Sequence, residues 1–256
     1  MFRLEEMTWV EIDGAVRENR PLIFVLGSIE QHGPHLPVGT DMFIPRGVME
    51  RVAEKTGAIL APVVPYGFRS KPQSGGGEGF QGTFSLSGTT VISLVRDLAV
   101  AFIRKGFARI FVLNWHYENV EFVHEGLFLA MEDTGDRAKV VVLDNPNALV
   151  DQTILDDLFQ GDFPGWEREH AAIFETSMML ALRPELVRRD LIRSDEAALV
   201  LPYAVYPTPP DAVPDSGVLW HAEKASETKG VAARDSMVDA IAAIIEKEFP
   251  SGDDRA

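Results

Sequence analysis

Leu22-Ile23-Phe24-Val25-Leu26 is an unbroken apolar run that stops at Gly27-Ser28. A strand with no polar face must be covered on both sides, as strands in parallel sheets are. Arg109-Ile110-Phe111-Val112-Leu113-Asn114 and Lys139 to Leu143 repeat the pattern, and Ile59 to Val64 does so with Pro62 inside it. Segments of helical spacing lie between them. Thr89 to Lys105 carries Val91, Leu94, Val95, Leu98, Ala101 and Phe102 on one stripe, and Gly106 is a good stop. Pro45 marks the start of a helix with Val48, Met49, Val52 and Ala53 on its apolar face, ended by Gly57. Further helices are expected from about Asn119 to Glu132, from about His170 to Leu182 ahead of Pro184, and from about Ala232 to Phe249.

This alternation predicts an α/β fold: a mostly parallel sheet flanked by helices on both faces, with right-handed crossovers. Residues 144–164 are less regular. The proline-rich stretch 202–217 reads as an extended loop, placed to cover a site or a subunit contact. Neither an internal repeat nor a linker divides the sequence, so one domain over residues 1–256 is expected.

Composition narrows the chemistry. The chain has 256 residues, 46% of them apolar, which is enough for one large core. It has no cysteine, so any metal must be held by His, Asp and Glu. The formal net charge of −15 repels phosphate backbones, and no basic stripe offsets it, so nucleic acid is not an expected partner. The start, Met1-Phe2-Arg3-Leu4-Glu5-Glu6, lacks the pattern of a signal peptide, and no apolar run reaches membrane-spanning length. A cytoplasmic protein with no membrane partner is the expectation.

Two segments stand out. Glu30-Gln31-His32 and His116-Tyr117-Glu118 each carry one imidazole and one carboxylate two residues apart. Each follows a predicted buried strand, and residues i and i+2 of an extended chain face the same way. Each segment therefore reads as a two-ligand claw at the C-terminal end of a parallel strand, where open α/β sheets place ligands. Asp41 follows the first claw and can bridge two cations. Two His and three carboxylates suit Zn²⁺ or Mn²⁺. Two such ions could share a water, lower its pKa and polarise a carbonyl, which is amide or ester hydrolysis. Plainer roles exist for each residue: a hydrogen-bonded core imidazole, a carboxylate at a helix start, or an N-cap for Asp41. Ser70 to Gly79, with Gly75-Gly76-Gly77, is a loop that either brings backbone amides close to a ligand or is a surface linker.

Gly27-Ser28-Ile29-Glu30-Gln31-His32-Gly33-Pro34-His35-Leu36-Pro37-Val38-Gly39-Thr40-Asp41 resembles the creatininase (creatinine amidohydrolase) family. So, in order, do Ser74-Gly75-Gly76-Gly77, Asn114 to Asn119, and Gly165-Trp166 through Glu169-His170 to Ser177. The resemblance implies an α/β/α sandwich, a homohexamer, and two divalent ions per subunit, Zn and/or Mn. It implies Glu30 and His116 on one metal, His32 and Glu118 on the other, and Asp41 bridging. It also implies substrate contacts by Ser74, Tyr117, Trp166 and Glu167, with Glu167 standing where the family has Asp. His170 would handle the proton of the leaving nitrogen, Glu169 would orient it, and Glu118 would relay a proton from water.

The implied reaction is opening of a small cyclic amide, creatinine or a related lactam or imide, by a metal-bridging hydroxide. Alternatives are the same chemistry on a linear formamide or peptide-like amide, or a metal-binding assembly protein without catalysis. Two departures bear on substrate. Trp115 stands where the family pattern has Gly, and Asp144-Asn145-Pro146-Asn147 stands where it has an aromatic gate.

Overall fold

The structure is a computed structural model that describes residues 2–195, 203–209 and 212–250. Of the proline-rich stretch, residues 202, 210 and 211 lie outside the described residues; 203–209 and 212–217 lack regular structure. Four strands form one sheet: β1 Leu22–Leu26, β2 Ile59–Leu60, β3 Arg109–Asn114 and β4 Lys139–Leu143. Their order is β2-β1-β3-β4 and every pairing is parallel, with Leu26 opposite Asn114.

Side-chain alternation divides the core into two layers. Leu22, Phe24, Leu26, Ile110 and Val112 pack on one face of the sheet. They meet α1 Trp9–Arg17, α3 Gly88–Arg104 and α4 Val120–Thr134 through residues such as Ala15, Val95 and Val123. Ile23, Val25, Phe111 and Leu113 pack on the other face. There they meet α2 Thr40–Thr56, α5 Gln152–Phe159, α6 Ile173–Leu182 and α7 Glu227–Glu248. This is the expected sheet with helices on both faces.

Several boundaries differ from the sequence reading, each for a local reason. Helix α2 begins at Thr40 rather than Pro45, because Met42 and Phe43 both donate to Gly39 O and close a turn ahead of the proline. Pro62 cuts the second apolar run to a two-residue strand, leaving Val64 as an isolated bridge to Leu26. Helix α6 starts at Ile173, since Ala171 has φ of 56° and cannot continue a helix through His170. Helix α7 starts earlier than Ala232, capped by Ser226, which accepts from Lys229 N. Helix α1 rests on a capping box between Thr8 and Glu11, and α5 in the less regular stretch is capped by Asp151.

Candidate metal centre

The sheet order places the site. From β1 the chain crosses to β2 at one edge, then returns to β3 on the other side of β1. The reversal leaves a crevice beyond the C-terminal ends of β1 and β3, which is where α/β sheets bind ligands. Both claws emerge there. Gly27 ends β1 against the first turn of α2, and any Cβ there would collide with Asp41 O. That close approach carries Asp41 to the claws.

Two triads share Asp41: Glu30, Asp41 and His116 have donor atoms within 4.8 Å of one another, and so do His32, Asp41 and Glu175; a third group, Glu30, His32 and His170, meets the same spacing. His116 Nδ1 lies 3.4 Å from Glu30 Oε2 and 3.3 Å from Asp41 Oδ2. His32 Nε2 lies 3.4 Å from Asp41 Oδ1 and 3.6 Å from Glu175 Oε2. Asp41 thus turns one oxygen to each triad. These separations are long for hydrogen bonds but match two ligands on one tetrahedral ion, about 3.4 Å apart for bonds of about 2.1 Å. Glu30 Oε1 and His32 Nε2 are buried without a hydrogen-bond partner, the state expected of atoms that serve a cation. The other ring nitrogens are fixed by backbone: His32 Nδ1 donates to Glu30 O at 3.0 Å and His116 Nε2 to Phe68 O at 3.0 Å. The donor set fits two divalent ions held by oxygen and nitrogen.

The crossing of Glu30 with His116 is what the structure brings together, but the pairing of His32 with Glu118 is not. The chain enters a 3₁₀ turn at Tyr117–Asn119, so Glu118 no longer shares a side with His116 Nδ1. Its Oε2 lies 3.5 Å from His116 Nε2, behind the ring, and its Oε1 accepts from Lys71 N and Ser74 Oγ. Glu175 takes the place beside His32. The sequence reading assigns it no role. Its signal was available: a lone carboxylate in Ile173–Leu180, a stretch in which every residue is buried.

Burial and crowding set the charges. Burial pushes the Glu30 carboxyl up to about 7, more than His116 pulls it down. Burial also raises Asp41, but His32 and His116 together pull it below the usual carboxylate range. Burial opposes charge on both imidazoles, yet Glu175 and Asp41 hold His32 well above its ordinary value, and Glu30 and Glu118 do the same for His116. Protons on these rings neutralise the carboxylates that cations would otherwise neutralise.

Gln31, between the first claw's ligands, ties the surrounding loops together. Its Nε2 donates to Gly75 O at 3.0 Å and Gly217 O at 2.9 Å, and its Oε1 accepts from Gly33 N at 2.9 Å. Gly75 rests directly on Glu30, where a Cβ would overlap the carboxylate. The triple-glycine loop is therefore a packed wall. His170 is buried, its ring centroid 4.3 Å from that of His32. Burial and the charge on His32 push His170 well below its ordinary value. Its Nε2 lies 2.8 Å from Gln31 O and 2.9 Å from Gln31 Nε2; with both amide hydrogens of Gln31 given to Gly75 O and Gly217 O, Nε2 donates to Gln31 O and Nδ1 is left as the ring's acceptor.

Glu169 is buried beside His170 but bonds the start of α6, accepting from Phe174 N at 2.6 Å. It makes no hydrogen bond to His170, because its carboxylate is turned to the helix end. Burial and Glu175 push its carboxyl well up. Ser74, Tyr117, Trp166, Glu169 and His170 line one cleft with Glu30, Asp41, His116, Glu118 and Glu175. Tyr117 OH donates to Glu167 Oε1 at 3.0 Å on the outer side. Trp166 packs edge-on to Phe174 with centroids 5.4 Å apart. Trp115 and Asp144 to Asn147 close the remaining side. Outside the triads, His35 braces the first loop: its Nε2 meets Thr176 Oγ1 at 2.9 Å, and burial with His32 pushes it down to about 4.

Residues 5–245 match the creatininase (creatinine amidohydrolase) family, and the chain belongs to it. Among individual relatives it is 38% identical to the creatinine amidohydrolase of Pseudomonas putida, over 96% of each chain. It is 33% identical to the mycofactocin precursor peptide peptidase of Mycolicibacterium smegmatis, over 66% of this chain and 61% of that protein. Against the crystal structure of creatinine amidohydrolase (creatininase), the TM-score is 0.93 at 38% identity, covering 97% of this chain and 98% of that one. Solved creatininase structures with the same scores include an Mn form and a Zn-Zn form of a mutant.

Proposed function

We propose that this chain is a metal-dependent amidohydrolase that opens a small cyclic amide, creatinine or a related lactam or imide. The single observation that carries it is Asp41, which offers one oxygen to each of two buried His-carboxylate triads. Glu30, Asp41 and His116 would hold one ion, and His32, Asp41 and Glu175 the other, with Zn²⁺ and Mn²⁺ as the candidates. Two such ions supply Lewis-acid polarisation of the amide carbonyl and acidify water toward neutrality. The chain's own residues do the rest. His170, neutral and with Nε2 held by Gln31 O, takes a proton on Nδ1 and returns it to the departing nitrogen. Glu118 fixes the ring of His116 from behind and, through Ser74, the wall of the cleft. Trp166 and Trp115 give the cleft flat sides suited to a planar ring, and its burial limits competing water.

The test is metal analysis of the purified protein combined with a hydrolysis panel of cyclic and linear amides that includes creatinine. About two Zn²⁺ or Mn²⁺ per chain with cyclic-amide turnover lost on chelation is the expected result. Full metal loading with no turnover on the panel would return the chain to the role of a metal-binding assembly protein. A second reading, hydrolysis of a linear or peptide-like amide, is favoured by the peptidase relatives and by the polar turn at Asp144–Asn147. We also infer one domain that assembles as a homohexamer in the cytoplasm; light scattering would read the assembly. Among the described residues no helix is long and apolar enough to cross a membrane.

A further inference from the structure

We propose that Gln31 is a positioning residue that sets the tautomer of His170, and that it does so only while two loops, at Gly75 and at Gly217, are both docked on it. The inference rests on the amidohydrolase reading only for the task of His170, which is to carry a proton on Nδ1. Gln31 turns two opposite groups toward one nitrogen. Its backbone O lies 2.8 Å from His170 Nε2, and its side-chain Nε2 lies 2.9 Å from the same atom. The carbonyl oxygen only accepts and the amide nitrogen only donates. A neutral imidazole carries a single N–H, so it satisfies one of the two and not both. Paired with the carbonyl, His170 is protonated on Nε2 and keeps a lone pair on Nδ1. Paired with the amide, it is protonated on Nδ1 and cannot take a second proton there.

The two loops decide between these states. The amide has two hydrogens, and Gly75 O at 3.0 Å and Gly217 O at 2.9 Å take both. The amide is kept from turning over by its Oε1, which accepts from Gly33 N at 2.9 Å. Both loop positions need glycine. A Cβ on Gly75 would overlap Glu30 Oε1, and one on Gly217, at φ of 74°, would overlap Gln31 Oε1. The second loop also grips His170 itself, through Leu219 N, which donates to His170 O at 3.2 Å. Gln31 and His170 are both buried, so bulk water does not compete for these groups. When either carbonyl leaves, an amide hydrogen is freed beside His170 Nε2. The tautomer then shifts by moving one proton from Nε2 to Nδ1, with no change in charge. Loop docking thus leaves the base ready, and loop opening removes it.

The test reads the tautomer directly. In metal-loaded protein carrying isotope-labelled histidine, NMR correlation of the ring nitrogens with the carbon-bound ring protons tells a protonated nitrogen from a bare one. The wild-type protein should carry the His170 proton on Nε2. Gly217→Ala pushes the Gly217 carbonyl off the amide. It should move the proton to Nδ1 and lower kcat roughly 100-fold or more, with KM little changed. Adding Gln31→Leu to Gly217→Ala removes the competing amide, and should return the proton to Nε2 and restore part of kcat. Damage that is merely structural would grow with the second substitution rather than reverse. Ser216→Ala is the milder route to the same end where Gly217→Ala does not fold. Ser216 Oγ braces that turn by donating to Asp195 Oδ2 at 2.8 Å and accepting from Val218 N at 3.1 Å, and its loss should populate both tautomers. A wild-type proton on Nδ1, or a proton that stays on Nε2 in both loop variants, would overturn the proposal. Turnover is measured separately on the amide panel. The expected tautomers without turnover sink only the amidohydrolase reading, and turnover with wild-type His170 protonated on Nδ1 sinks this inference alone.

Discussion

Glu118 and Glu175 differ in a way that residue type does not reveal. Both are buried carboxylates near a histidine. Glu175 Oε2 faces the same nitrogen of His32 that Asp41 faces, so it is placed to share a cation. Glu118 faces His116 Nε2, the nitrogen already committed to Phe68 O, so it acts on the ring from outside. Substitution should separate the two. Glu175→Gln removes an anionic ligand and should reduce bound metal by about one ion per chain. Glu118→Gln should keep both ions but weaken the site holding His116 roughly 10–100-fold, the usual cost of losing an outer partner. Metal content by elemental analysis and affinity by competition with a chelator would check both. Equal metal loss in the two variants would contradict the assignment. The sequence displayed four of the five triad residues because strand-end spacing exposes them. It did not display Glu175, which comes from a helix distant in sequence. Glu118 stands apart from the triads because an i,i+2 rule holds only while the backbone stays extended, and the chain turns at Tyr117.

At the scale of elements, the loop over residues 70–79 changed most between sequence and structure. Three glycines in a row are equally consistent with a linker, since composition alone does not say what a loop rests on. In the structure Gly75 sits on Glu30 and Ser70, and Gly76, at φ of 84°, sits on Gln31. The glycines let the loop lie flat on the first claw. Gly75→Ala would drive a methyl into the Glu30 carboxylate. It should lower stability by about 1–3 kcal/mol, as other overpacking changes do, and lose the ion held by Glu30. Urea unfolding with metal analysis would check it; an alanine variant that keeps both stability and metal would show the loop to be loose. The strands were legible because five apolar residues in a row permit only a doubly covered strand. The early start of α2 was not, because the turn ahead of Pro45 depends on bonds to Gly39 O and on docking against Gly27.

The molecule as a whole carries a charge problem at its centre. Two imidazoles and several carboxylates are packed out of water, and either protons or cations must balance them. Without metal, protons do so. Glu30 is raised to about 7 from the ordinary carboxylate range, so the folded chain holds a proton there that the unfolded chain has lost. Its contribution to stability is full below the ordinary value and is lost as pH rises through about 7. His32 and His116, also raised, act in the same sense: their contribution is present below the ordinary imidazole value and lost as pH rises through their folded values. His170 and Asp41 are shifted the other way, but above neutrality each has the same protonation state folded and unfolded, so neither offsets the loss. The metal-free protein should therefore lose thermal stability as pH rises through about 7 and beyond. Metal changes the sign of the dependence. Ligation needs neutral imidazoles and ionised carboxylates, so binding releases protons and its affinity must fall as pH falls. The loaded protein should hold its melting temperature across the alkaline range and lose metal on acidification. Melting curves with and without chelator, and calorimetric titrations in two buffers of different ionisation enthalpy, would measure both effects. Metal uptake without proton release would mean that the imidazoles are neutral in the metal-free protein, and the balance of charge at the centre of the fold would need another source.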